Sequence, residues 1–186
     1  AARAGGGHTK RTLRGRDAEL AALMAHAQRA RHRDGSLVEI VAPPGIGKSC
    51  LLGELRAQSL LPELVIEGGR LLAASAYGAV TEAARRMIGV PADAPASVLR
   101  RLLEEVVTAN APHLVEWLPL LAIPFGVAVD DNEVTAAISE EFRRGRIHQA
   151  AGELLTAITE QPHLLVVEDA HWLDEASAEL LASQVR

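Results

Sequence analysis

The chain has 186 residues, of which 48% are hydrophobic and 23% are charged, and its formal net charge is -5. This composition is typical of a folded globular domain and excludes a disordered, collagen-like or coiled-coil protein. The acidic balance and the lack of a long basic run argue against direct binding to nucleic acid. The single cysteine, Cys50, excludes an internal disulfide framework and is compatible with a reducing cytoplasm, where we expect the protein.

Apolar stretches in the chain are short. The stretch 118–123 is among the longest, is interrupted by Pro119, and is far below the roughly 20 residues that a membrane helix needs. We therefore expect no membrane partner. The glycine-rich start predicts a linker over residues 1–11, followed by one domain over residues 12–186.

Hydrophobic periodicity predicts alternating helices and strands in the first third of the chain. An amphipathic helix is predicted over 16–33, a strand over 37–41, a helix starting near Lys48, and a second strand over 64–66. The spacing of about thirty residues between the two strands suits a parallel crossover connection. The order of elements therefore predicts an α/β fold with a parallel sheet.

The remainder of the chain is predicted to be helical, with one further strand. Helices are predicted over 80–88, 97–109 and 138–159, with a short proline-bounded piece around Trp117. Residues 164–167 form a continuous apolar run, which is typical of a strand that is covered on both faces. Asp174 is predicted to cap a final helix.

Residues 42–49 match the template of a phosphate-binding loop, with Ala42 where the first glycine is usual. Glycines allow the backbone amides to face a phosphate, and the helix that follows directs its positive N-terminal dipole to the same place. We expect the lysine to reach the β- and γ-phosphates and the serine hydroxyl to coordinate Mg²⁺. The weaker alternative is a structural turn. The predicted nucleotide-binding residues are Pro44, Gly45, Ile46, Gly47, Lys48, Ser49 and Cys50.

Two acidic residues, Glu168 and Asp169, end the apolar strand at 164–167. A nucleotide-hydrolysing site needs such an element to hold Mg²⁺ and to orient the attacking water. One acid would serve the metal and the other the water, and the sequence does not decide between them. We assign Glu168 and Ser49 to the metal and Asp169 to the water, so that the predicted catalytic residues are Lys48, Glu168 and Asp169.

Other side chains near these motifs are weaker candidates. His171 and Trp172 are candidates for contact with a nucleotide or a partner domain. Several arginines are candidate sensors of the γ-phosphate, although a surface ion pair is the more common role of such residues. They are Arg70, Arg85, Arg86, Arg143, Arg144 and Arg146.

These motifs resemble those of the signal-transduction ATPases with numerous domains (STAND), within the broad AAA-like P-loop class. Segment 13–20 is similar to the family's Gly-Arg box, 42–49 to its Walker A motif, and 164–177 to its block of acidic residues followed by His-Trp-x-Asp. Stretches 117–124 and 141–144 are similar to the ATPase module found behind class III adenylate or guanylate cyclase domains in bacterial multidomain regulators. Large LuxR-type regulators are close relatives.

The resemblance implies a three-layer α/β/α P-loop NTPase fold that binds ATP and Mg²⁺. It also implies a regulatory switch, in which ATP binding and slow hydrolysis change the packing of attached signalling domains, and it places Arg16 near the adenine. The family's sensor strand, which lies between the Walker A and Walker B strands, is missing from this chain. We therefore expect a truncated sheet and weak or absent hydrolysis by this piece alone.

The sequence leaves one main alternative function open. In that alternative the chain is a non-catalytic interaction or scaffold domain that holds a nucleotide as a structural ligand. A metabolic kinase ranks below both. The expected partners are ATP or ADP and attached or partner signalling domains, with a homo-oligomer left as an alternative. The upstream signal, the output domain, the hydrolysis rate and the identity of an arginine finger are not decided by the sequence.

Overall fold

The computed structural model describes residues 15–91, 93–159 and 161–184. The chain divides into two compact units, the first ending at Pro62 and the second beginning at Glu63. The described residues are mostly helical and include a small parallel sheet of two strands. This architecture is compatible with an α/β P-loop domain. The predicted linker, 1–11, lies outside the described residues.

The first unit is built on two helices, α1 (Asp17–Arg31) and α2 (Lys48–Ser59), and both confirm the sequence prediction. They pack against each other. Arg31 donates a hydrogen bond to the carbonyl of Ser59, which joins the ends of the two helices. The buried apolar side chains at this contact are Leu23, Ala27, Leu51 and Leu55.

The predicted strand over residues 37–41 is wrong, because the structure gives this run no regular secondary structure. Leu37 is 74% exposed and Val41 is 81% exposed. Backbone groups of a strand need a neighbouring strand to pair with, and a lone β-branched run gains too little from propensity alone. The run has no such neighbour in the described part of the chain.

The sheet consists of β1 (Glu63–Glu67) and β2 (Leu164–Glu168), which are parallel as predicted. Their register places Glu63 opposite Leu164 and Glu67 opposite Glu168. The pairing continues one step beyond the strands, where the Gly68 amide donates to the Glu168 carbonyl at 2.9 Å. The carboxyl ends of both strands therefore meet at one edge of the sheet, which we call the acidic edge.

The second unit surrounds this sheet with helices, and each helix predicted from the sequence is present there within a few residues. Short 3₁₀ turns lie at Leu72–Ala74, Pro112–Trp117, Ile123–Phe125 and Ala170–Trp172. The helices are α3 (Gly78–Met87), α4 (Ala96–Asn110), α5 (Leu118–Leu121), α6 (Glu133–Ala136), α7 (Glu140–Ile158) and α8 (Glu175–Ser183).

Two apolar clusters hold the second unit together. One joins β1 to α3, α7 and α8 and contains Ile66, Val80, Ala83, Ile147 and Leu180. The other joins α4, α7 and the proline-bounded segment between them. Each fully buried leucine, isoleucine or valine contributes about 1.5–3 kcal/mol of transfer free energy. The sheet face that carries Ile66 is therefore fixed by packed helices.

A buried carboxylate, that of Asp174, connects two helix N-termini in this unit. Asp174 is 7% exposed. Its Oδ1 accepts hydrogen bonds from the amides of Ser177 at 2.9 Å and Tyr77 at 2.8 Å. Its Oδ2 accepts from the Ser177 hydroxyl at 2.6 Å and the Ala79 amide at 3.3 Å. Asp174 thus caps α8, as predicted, and also holds the start of α3, which the sequence did not indicate.

These hydrogen bonds decide the ionisation of Asp174. Burial raises the pKa of the carboxyl, but hydrogen bonds from Ser177, Ala79 and Tyr77 outweigh burial and lower the pKa below its ordinary value. A carboxyl with a lowered pKa in the folded state stabilises the fold above its unfolded pKa, about 3.9. That stabilisation is lost as the pH falls through the lower, folded-state pKa.

We expect Asp174→Asn to lower the free energy of unfolding at pH 7 by about 1.5–3 kcal/mol, because an amide nitrogen cannot accept the bonds that the carboxylate accepts. Glu175→Gln, on the exposed first turn of the same helix, is the matched control and should cost about 0.3–1 kcal/mol through the helix dipole. Urea unfolding measures both. The difference between Asp174→Asn and wild type should shrink as the pH falls below 4, and equal stability at pH 7 would refute the double cap.

Candidate functional site

The loop before α2 is shaped by two glycines with left-handed backbone conformations. Gly45 has a φ of 79° and Gly47 a φ of 92°. A Cβ placed on either glycine would meet nothing within 4 Å, so the backbone conformation rather than crowding requires glycine there. An L-residue with a side chain pays about 1–2 kcal/mol for this conformation. The open space beside both glycines lets a ligand approach the backbone.

The start of α2 presents backbone donors next to this loop. Gly47 is the N-cap residue, and its carbonyl accepts the first helical hydrogen bond, from the Leu51 amide at 3.0 Å. The amides of Lys48, Ser49 and Cys50 precede that bond and lie in the first turn, which contains no acidic side chain. The positive end of the helix dipole therefore faces the loop without a competing carboxylate.

Lys48 is anchored on the loop that it follows. Its ammonium donates to the carbonyls of Ala42 and Pro43, the latter at 3.2 Å. An ammonium group carries three N–H donors, so these two bonds still leave a donor for a phosphate oxygen. Ser49 is exposed and Cys50 is half-buried. This donor set, with the open glycine cradle, fits a phosphate chain and, through the Ser49 hydroxyl, a Mg²⁺ ion.

The structure brings the predicted nucleotide-binding residues of the loop together, and it places Arg16 and the two predicted acids on other elements. Pro44 to Cys50 form one continuous loop and helix start. Arg16 lies in the same unit, half-buried, and directly precedes α1. Glu168 and Asp169 belong to the second unit.

The acidic edge has a defined backbone geometry. Glu168 is half-buried at the end of β2, whereas Asp169 is exposed and has a left-handed backbone with a φ of 50°. The Asp169 carbonyl accepts a hydrogen bond from the Trp172 amide at 2.8 Å, which closes the turn. A Cβ on Gly68 would overlap that carbonyl, so the two segments that leave the strands pack backbone against backbone.

Arg70 and Trp172 meet at this edge, a contact that the sequence reasoning missed. The Arg70 guanidinium carbon lies 4.4 Å from the Trp172 ring centroid, in cation–π geometry. The ring centroid of His171 lies 5.1 Å from that of Trp172. A sequence signal did exist, because both residues follow the paired strand ends Glu67 and Glu168 by a few positions.

Several other arginines named above make structural contacts. The guanidinium groups of Arg143 and Arg144 pair with Asp131 at 2.9 Å and Glu179 at 3.0 Å. Arg85 donates to the Phe125 carbonyl at 2.8 Å. Arg143 and Arg144 thus form ion pairs, the more common role of such residues, whereas Arg85 binds the main chain.

Apart from the loop and the acidic edge, the described residues contain an apolar cavity and no cluster of metal ligands. A cavity of about 90 Å³, open to solvent, lies between the sheet and the helices. Its lining includes Leu64, Met87 and Leu155, contains no ionisable side chain, and offers nothing to a phosphate. In the same described residues, no three His, Cys, Asp or Glu side chains cluster as metal ligands. Magnesium in a P-loop needs no such cluster, since phosphate oxygens and water complete its shell.

Comparison with known proteins identifies the family of the chain. The family model of the AAA ATPase domain matches residues 12–186. No curated protein and no solved structure matches the chain. In the part of the chain that the structure describes, every helix is too short or too polar to cross a membrane. The match covers nearly the whole chain and includes residues 42–49, so the chain belongs to the AAA ATPase domain family.

Proposed function

We propose that this domain binds ATP with Mg²⁺, hydrolyses it slowly, and serves as a regulatory switch in a multidomain signalling protein. The observation that carries the proposal is the pair of left-handed glycines, Gly45 and Gly47, directly before a helix that begins with Lys48. This combination of free backbone amides, a helix N-terminus and a lysine is built for a phosphate chain. Family membership supports ATP as the nucleotide.

Each loop residue has a role in the proposal. The amides from Gly45 to Cys50 hold the β-phosphate, because Pro43 and Pro44 have no amide hydrogen to donate. Lys48 gives its remaining N–H to the β- and γ-oxygens, and the Ser49 hydroxyl is a ligand of the magnesium ion. Arg16 lies near the adenine, as the resemblance to the Gly-Arg box implies.

The acids at the end of β2 are proposed to carry the hydrolytic step. When bound, Mg²⁺ would supply positive charge that offsets the negative charge developing on the phosphates. Glu168 is assigned to the metal shell and Asp169 to the attacking water. The exposure of Asp169 and the half-buried position of Glu168 support this division, since a general base must reach water directly.

The regulatory part of the proposal rests on the STAND resemblance and on the connections of the acidic edge. Asp174 lies a few residues after Asp169 and is bonded to the N-termini of both α8 and α3. A change at the acidic edge therefore has a direct structural route into two helices. The attached domains are cyclases or transcriptional effectors in this proposal, and the protein acts in the cytoplasm.

Lys48→Ala should weaken ATP binding about ten- to a hundred-fold, because it removes a charge-assisted hydrogen bond worth about 1.5–3 kcal/mol. Titration calorimetry with ATP and Mg²⁺ measures the change. Arg33→Ala removes one positive charge from an exposed position of the same unit and should leave the affinity unchanged. Equal affinities of Lys48→Ala and wild type would remove the loop from the proposal.

Asp169→Asn should lower the turnover number about a hundred-fold or more while ATP affinity stays within about two-fold of wild type, because general-base assistance acts on the chemical step.

Glu168→Gln should lower turnover and also raise the Mg²⁺ concentration needed for half-maximal rate. Phosphate release against Mg²⁺ concentration separates the two acids. Tight ATP binding without turnover in the full-length wild-type protein would favour the non-catalytic alternative.

A further inference from the structure

Arg70 and Trp172 tie together the two chain segments that leave the acidic edge. Arg70 follows β1 and Trp172 follows β2, and the guanidinium carbon of one lies 4.4 Å from the ring centroid of the other. The strands themselves end at the pair Glu67 and Glu168. The stack therefore joins the two segments that leave the strands at the acidic edge.

The turn that this stack closes over has an unfavourable backbone conformation. Asp169 is a non-glycine residue with a φ of 50°, in the left-handed region that such residues rarely adopt. A strained residue persists only where its surroundings hold it. Two contacts hold this one: the Trp172 amide donates to its carbonyl at 2.8 Å, and Gly68 packs directly on that carbonyl.

We propose that the stack of Arg70 on Trp172 is a clamp that fixes the turn carrying the Asp169 carboxylate, so that Arg70 is a positioning residue for hydrolysis. Trp172 holds the Asp169 carbonyl through its backbone, and Arg70 holds Trp172 through its ring. The proposal deepens the proposed function and rests on the role of Asp169 there. A guanidinium stacks on an indole face better than an ammonium does, because it is planar and weakly hydrated.

The first test is hydrogen exchange over residues 168–174 in wild type, Arg70→Ala and Arg70→Lys. The Trp172 amide is hydrogen-bonded to Asp169, so its protection reports how often the turn opens. Exchange should be about ten-fold faster in Arg70→Ala, whereas Arg70→Lys should restore most of the protection. Arg100→Ala removes an arginine that pairs with Glu104 at 2.9 Å on α4, and it should leave this exchange unchanged.

The second test separates positioning from general stability. A displaced base slows chemistry about ten- to a hundred-fold without changing substrate binding, so Arg70→Ala should lower the turnover number and leave the KM for ATP within about two-fold of wild type. Arg70→Lys should recover part of the rate. Unchanged exchange in Arg70→Ala, or equal loss of rate in Arg70→Ala and Arg100→Ala, would overturn the proposal.

The two proposals fail in different ways. If the full-length wild-type protein binds ATP but does not turn it over, the hydrolytic function is wrong, and the positioning role of Arg70 falls with it. If wild type turns ATP over and Arg70→Ala matches it in both rate and exchange, only the clamp is wrong.

Discussion

The second unit depends on one buried carboxylate. Asp174 gathers four donors from Tyr77, Ala79 and Ser177, and these donors belong to the starts of two helices that are far apart in the chain. The first amides of a helix have no hydrogen-bond acceptor within the helix. Here a single carboxylate accepts from such amides at the starts of both α3 and α8. Because Asp174 closely follows β2, the same interaction also fixes where the acidic edge lies relative to α3.

The loop before α2 is governed by backbone conformation rather than by packing. Gly45 and Gly47 are left-handed with open space around them, and α2 begins immediately afterwards. In the proposed function this loop binds phosphate through main-chain donors and one charged side chain, Lys48, so it needs few side chains of fixed position. The acidic residues need more support, and the structure gives it through strand pairing, the Gly68 contact and the stack on Trp172.

Local sequence patterns correctly predicted the elements whose formation depends on residues close together in the sequence. The glycine-lysine-serine turn, the helix from Lys48 and the apolar strand before Glu168 are confirmed, because glycine conformation and hydrophobic periodicity act locally. The strand predicted over 37–41 is wrong, because β-branched propensity cannot replace a hydrogen-bonding neighbour. The contact of Asp174 with Tyr77 joins distant segments, so no local pattern indicated it. The contact of Arg70 with Trp172 follows from the pairing of β1 with β2, which a local pattern does not reveal.

The decisive measurement is the effect of Mn²⁺-ATP, in place of Mg²⁺-ATP, on the amide NMR signals of the protein. A paramagnetic ion broadens signals of nearby nuclei, so it reports which backbone segments lie close to the metal. We predict broadening both at Gly47 to Ser49 and at Glu168 and Asp169, abolished by excess Mg²⁺-ATP. Broadening confined to the loop, with the signals of Glu168 and Asp169 unchanged, would contradict the proposed roles of these two acids and favour the non-catalytic alternative.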